Sequence, residues 1–141
     1  MDAPMGFVYT EITLKNTSDV IRAGDGAINE KDIRQVTVQA IVDTGASTLV
    51  ISEELRKQLG LNVRGRRRVI LANETQEIGL ITEPVEIHWK ERDTTCRALA
   101  ISGARQILLG AIPLEDMDLL VDPKKQELVG AHGDEILSMA K

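Results

Sequence analysis

The chain has 141 residues and a formal net charge of −5, long enough for one domain with a real core and short for two. That charge gives no global attraction to nucleic acid or an anionic membrane, and aromatics at 2% leave few platforms for stacking RNA bases. With one cysteine no intrachain disulfide can form, and the absence of a signal-like start or a long apolar run makes a reducing cytoplasm the expected compartment.

β character dominates, and the core must be built from Ile, Leu, Val and Ala. Val8 to Leu14 alternates and predicts a strand. Residues 16–31, with their Asn, Ser, Asp and Gly, predict a loop. A strand is expected from Arg34 to Val42, running into Asp43-Thr44-Gly45-Ala46-Ser47. Ser52 to Gly60 is the clearest helix: Ser52 can cap it, Glu53 and Glu54 sit in its first turn, and Gly60 can end it. Ile51, Leu55 and Leu59 then share one face. Arg64-Gly65-Arg66-Arg67-Arg68 is the one charge cluster and reads as a solvated loop. Beyond it, Arg68 to Leu71 and Gln76 to Leu80 flank a turn at Ala72-Asn73-Glu74-Thr75. A second hairpin joins Glu83–Trp89 to Asp93–Ile101 around Lys90-Glu91-Arg92. Ile107-Leu108-Leu109-Gly110 faintly echoes the segment that ends at Gly45. Pro113 to Met117 predicts a short helix with Pro113 at its first position. A closing hairpin pairs Leu119-Leu120-Val121 with Glu127-Leu128-Val129. His132-Gly133-Asp134-Glu135 reads as a loop, and the last residues as a short helix or a loose end.

The chemistry gathers at Asp43. Asp-Thr-Gly after a strand is ordinary turn composition. Three neighbours raise it above a turn: the apolar run before it, the helix signal after it, and the second apolar-apolar-Gly segment at 107–110. Gly45 has no Cβ, so backbone can pass close to the carboxylate and an N–H can reach it.

This order of motifs resembles the retropepsin-like, single-domain aspartic proteases, over about Phe7 to Gly130. The resemblance implies an all-β fold, a closed β-barrel with one or two short helices, assembled as a two-fold symmetric homodimer. It makes residues 1–141 a single domain, with a core at 7–130 and a tail at 131–141. Because the loop occurs once, Asp43 of two subunits would form the catalytic pair. Two carboxylates a few ångström apart cannot both ionise, so the pair keeps one proton. One member takes a proton from water while the other donates to the peptide carbonyl. Thr44 and Gly45 complete the catalytic set, with the Thr44 hydroxyl bonding the partner loop. Ala46, Ser47 and the flap-turn residues Ala72, Asn73, Glu74 and Thr75 are the substrate-binding candidates, for a polypeptide bound in extended form. No cofactor and no metal is expected. Two features depart from the family pattern: Asn73 and Glu74 stand at a flap tip that is usually Gly-rich, and the 16–31 segment is longer and more polar.

Other candidates carry duller readings. Cys96 fits a packed or half-exposed strand residue better than a nucleophile. His88 and His132 have no partner at ligand spacing. Asp116, Asp118 and Asp122 do not precede Thr-Gly. The function expected is an aspartic endopeptidase; the alternative is a non-catalytic or latent dimerisation or peptide-binding module on the same fold.

Overall fold

The computed structural model describes residues 7–71 and 73–134. Two antiparallel strands, β1 (Val8–Asn16) and β2 (Gln35–Val42), pair from Val8 opposite Val42 to Lys15 opposite Gln35. Alternation turns Val8, Ile12 and Leu14 inward. Then come β3 (Leu49–Ser52), α2 (Glu53–Leu59), β4 (Val63–Ile70), β5 (Gln76–Trp89) and β6 (Arg92–Ile101). The chain closes with β7 (Leu108–Leu109), α3 (Ala111–Asp116), β8 (Leu119–Asp122) and β9 (Glu127–Asp134). Sheet order is β1-β2-β7-β3-β6-β5-β4, and β1 also pairs with β5. The pairings therefore return to β1, with β4 hanging outside on β5. Parallel pairing occurs between β2 and β7 and between β3 and β6. Ile12, Leu14, Leu49, Ile51, Leu59, Leu61, Val85, Ile87 and Leu109 fill the space between strands. Each such aliphatic side chain contributes about 1.5–3 kcal/mol. Among the described residues no helix is long and apolar enough to cross a membrane.

Helix α2 forms as its sequence predicts. The Ser52 hydroxyl accepts the Leu55 N–H at 3.1 Å, and Gly60 ends the helix at φ +67°. Ile51, Leu55 and Leu59 are buried together.

The segment predicted to be a loop contains helix α1 (Thr17–Gly24), followed by a 3-10 turn over Glu30–Asp32. The Asn-Thr-Ser-Asp composition that suggested a turn is also N-cap composition. Asn16 caps α1 by accepting the Asp19 N–H at 3.0 Å, and its amide donates to the Leu59 carbonyl at 2.8 Å. Asp19, only 3% exposed, accepts from the Arg34 backbone N–H at 2.9 Å and from its Nε and Nη2 at 2.8 and 2.9 Å. The Arg34 guanidinium lies where a Cβ on Gly60 would be. Gly60 thus serves both the left-handed cap and this ion pair.

Four other expectations shift. β5 is one strand from Gln76 to Trp89, because a bulge between Ile81 and Pro84 carries it past the proline. There the buried Thr82 hydroxyl accepts the Ala98 N–H at 3.0 Å and donates to the Glu83 carbonyl at 2.7 Å. The arginine cluster lies within strand β4 rather than in a loop. Residues His132 to Asp134 extend β9 instead of forming a loop. Arg92, predicted as a turn residue, opens β6 opposite Trp89. Its buried guanidinium donates to the carbonyls of Met117, Asp118 and Gly133 at 2.9, 2.7 and 2.8 Å. Gly130 leaves room for it, since a Cβ there would collide with Arg92 and Gly133. Glu135 and the residues after it lie outside the described residues, as does the expectation for the tail.

The Arg34 hydrogen bonds hold the Asp19 carboxyl below its ordinary value of 3.8, against the opposing effect of burial. A carboxyl depressed in the folded state stabilises at pH above its ordinary value and loses that contribution as pH falls through the folded value. Asp19→Asn is expected to lower stability at pH 7 by about 2 kcal/mol, the scale of hydrogen bonds to a charged group. In urea unfolding followed by circular dichroism, the gap between wild type and variant should narrow as pH drops below 4.

Candidate active site

Asp43 sits where β2 ends, and the loop it begins is sewn to the β7–α3 segment. The Asp43 N–H donates to the Leu109 carbonyl at 3.0 Å, and Ile41 N–H to the Ile107 carbonyl at 2.7 Å. Past Gly110, the N–H groups of Ala111 and Ile112 donate to the carbonyls of Ala46 and Ser47 at 2.8 and 2.9 Å. The Thr48 hydroxyl donates to the Arg97 carbonyl at 2.6 Å, fixing the loop's far end on β6. Within the loop, Asp43 Oδ1 accepts the Gly45 N–H at 2.9 Å, and a Cβ at Gly45 would lie 3.2 Å from that oxygen. The reach of the Gly45 N–H expected from its sequence is present. The Asp43 side chain is half-buried; Thr44 and Gly45 are exposed at the surface of the protomer.

Gly110 is there for space. Its φ of −90° suits any residue. A Cβ, however, would fall 2.6 Å from the Ala46 carbonyl oxygen and into the backbone of Thr48. The echo between residues 43–45 and 107–110 is thus a physical contact: two apolar strand ends lie parallel, Ile41 beside Leu108 and Val42 beside Leu109. Pro113 occupies the third helical position of α3 rather than the first, because the helix begins directly at Ala111. The missing N–H costs nothing there, since first-turn amides have no intrahelical acceptor.

A cleft of about 600 Å³ opens in front of Asp43. Ala46, Ser47 and Leu108 line its loop side, and Arg67, Val69 and Leu71 line its hairpin side. Its floor is a second apolar cluster of Val50, Leu99 and Ile101, separate from the main core. Asn73, Glu74 and Thr75 do not line it; they form the exposed tip of the β4–β5 hairpin. Ala72 lies outside the described residues. The tip is built without glycine. Asn73 Oδ1 accepts from the Thr75 N–H and hydroxyl at 3.1 and 2.6 Å, and Glu74 takes the left-handed conformation at φ 66°. Gly79 is the glycine the hairpin does need, because a Cβ there would lie 2.6 Å from the Leu99 Cδ1. Val69, Val50, Leu99 and Ile101 were not singled out from sequence as site residues, and Arg67 stood out only as one member of the charge cluster. Period-two spacing of Arg67 and Val69 on β4, continued by Leu71 just past its end, is the signal that finds the hairpin wall.

Cys96 lies half-buried on β6 as expected. Burial pushes its thiol pKa up, opposed by a hydrogen bond from the Thr48 hydroxyl, so the reactive thiolate is scarce near neutral pH. Among the described residues, the three side chains with clustered ligand atoms are Glu86, His88 and Asp93. Strand pairing of His88 with Asp93 brings them together, near the end of β5 away from the hairpin tip. His88 Nε2 already bonds Glu86 Oε1 at 2.5 Å, and Lys15 stands opposite Glu86 on β1.

Two outcomes follow from this packing. Gly110→Ala should destabilise the protein by about 3 kcal/mol or more, since the Ala46 carbonyl cannot retreat without breaking its hydrogen bond from the Ala111 N–H and the Thr48 backbone would also be displaced; thermal unfolding reads this directly. Cys96 should react with iodoacetamide at pH 8 more slowly than free cysteine, as followed by mass spectrometry.

The comparison with known families matches this region. A family model described as aspartyl protease covers residues 25–112, from just after α1 to the start of α3. No curated protein matches the chain. With the Asp43 loop, the hairpin and the Gly110 segment all inside the matched span, the chain belongs to the aspartyl protease family of retropepsin-like type.

Proposed function

We propose that this chain is a homodimeric aspartic endopeptidase whose active site forms between two copies of the Asp43 loop. The observation that carries the reading is the geometry at Asp43: a carboxylate oriented by the Gly45 N–H, at the mouth of a cleft walled by a hairpin. Aspartic proteolysis needs two carboxylates, and the described residues contain one such loop. The exposure of Thr44 and Gly45 suits a loop that meets its symmetry mate. In the dimer the two Asp43 carboxylates share one proton. The ionised member draws a proton from water as the water attacks, and the protonated member donates to the carbonyl oxygen. The Gly45 N–H holds the carboxylate's orientation through both steps.

The ring of strand pairings supports a closed barrel in each protomer. β8 and β9 pair only with each other among the described residues, which makes Glu127-Leu128-Val129 the candidate interface strand. Substrate would lie extended between the loop and the hairpin, its side chains alternating toward floor and rim. Ala46 and Ser47 are the candidate contacts on the loop, and Leu71 is the candidate on the hairpin wall. Asn73, Glu74 and Thr75 would reach substrate only by tip movement. The lone cysteine, with its thiol largely protonated, suits a reducing compartment.

Asp43→Asn retains an oxygen for the Gly45 N–H, so it should fold normally. It should reduce cleavage of an unfolded-protein mixture by about 10³-fold or more. Wild-type activity should rise faster than linearly with enzyme concentration wherever the dimer is partly dissociated. Mixing in excess Asp43→Asn protein should suppress it through inactive heterodimers. Wild-type and variant proteins with equal cleavage would overturn the assignment.

A further inference from the structure

Four arginines crowd β4, but they do not share an environment. Arg68 lies on the outer side of the hairpin with Gln76 and Ile78. Arg67 shares the inner face with Val69 and Leu71, which pack on the apolar floor of the cleft. On β6 the same spacing puts Arg97 on the face of Leu99 and Ile101. β4 and β6 both run antiparallel to β5, so they point the same way; across β5, Arg67 stands level with Ile101, while Arg97 lies four residues before Ile101 on β6.

Both arginines nonetheless line a second cavity of about 370 Å³, beside the cleft. Ser47, Thr48, Arg67 and Leu99 line both spaces, so the two are contiguous along the Asp43 loop. The Arg97 backbone is tied to that loop by the Thr48 hydroxyl. Ile81, Leu99 and Ile112 give the cavity apolar walls, and among the described residues no carboxylate lines it. Among the described residues the ion pairs engage Arg34, Arg56 and Arg92, and neither Arg67 nor Arg97. Two like charges facing one partly enclosed space repel each other until an anion joins them. A guanidinium fork matches a carboxylate in a bidentate manner.

We propose that Arg67 and Arg97 form an acid-selecting subsite that takes a glutamate side chain of the substrate beside the scissile bond. The Glu methylenes pack against Ile81 and Ile112, and the carboxylate reaches the two guanidiniums. This inference rests on the peptidase reading above, and the test separates the two.

Two readouts are used on the full-length protein. The first is cleavage of a peptide library carrying Glu, Gln or Lys at each position in turn. Glu should be preferred over Gln at one position by about tenfold or more, the scale of charge-assisted hydrogen bonds. The preference should shrink as salt is added. It should collapse toward one in Arg67→Gln/Arg97→Gln, recover partly in Arg67→Lys/Arg97→Lys, and turn toward Lys in Arg97→Glu. The second readout is calorimetric titration of hydroxyethylene pseudo-octapeptides, scanned with Glu or Gln, into the Asp43→Asn protein. A Glu preference in binding that the double Gln variant loses supports the subsite whether or not cleavage occurs. Glu preference with no Asp43-dependent cleavage keeps the subsite and overturns the peptidase reading. Asp43-dependent cleavage with Glu and Gln equal in both readouts overturns the subsite and leaves the peptidase reading intact.

Discussion

The close approach of Gly110 to the backbone of residues 46–48 is the constraint on which the rest of the site depends. Two strand ends, β2 and β7, run side by side, and each is followed by backbone that must pass within hydrogen-bonding distance of the other. Only a residue without a side chain permits that passage. Asp43 then inherits its place from the ladder: its own N–H is bound to Leu109, and its carboxylate is steadied by Gly45. A carboxylate anchored in this way at its backbone and at one oxygen is held close to one orientation, which suits the proteolysis proposed for it, whose geometry must be set before substrate arrives.

Around this centre the molecule separates two apolar regions with different tasks. The main cluster, from Ile12 to Leu128, is closed and aliphatic apart from Trp89, and it holds the strands in register. The small cluster of Val50, Leu99 and Ile101 is open to the cleft. Val69 and Leu71 of the hairpin cover it in part. Gly79 permits the contact by letting β5 approach Leu99.

Buried charge is handled by complete pairing. Asp19 receives three donors from Arg34, and the Arg92 guanidinium donates to three carbonyls at the junction of α3 and β9. Each joins segments distant in sequence, and each has a glycine beside it, Gly60 or Gly130, that provides the volume. Removing one partner from such a set costs more than the set contributes, because the remaining charge or carbonyls lose their solvation as well. Arg67 and Arg97 follow the opposite pattern, with no carboxylate partner among the described residues and a cavity between them.

Local chemistry was legible in the sequence wherever neighbours in the chain decide the outcome. The Asp43-Thr44-Gly45 loop, the α2 caps at Ser52 and Gly60, the alternation of β1 and the family resemblance could all be read there. The 16–31 segment could not, because Asn, Ser and Asp favour turns and helix caps alike, and what selects the helix is a bond from Asn16 to Leu59 and a charge pair from Asp19 to Arg34. Why Gly110 and Gly79 are glycines, and which arginine of β4 faces the cleft, likewise had to wait for the fold. These depend on which strands become neighbours, and a linear pattern records the period of a strand without recording what lies across from it.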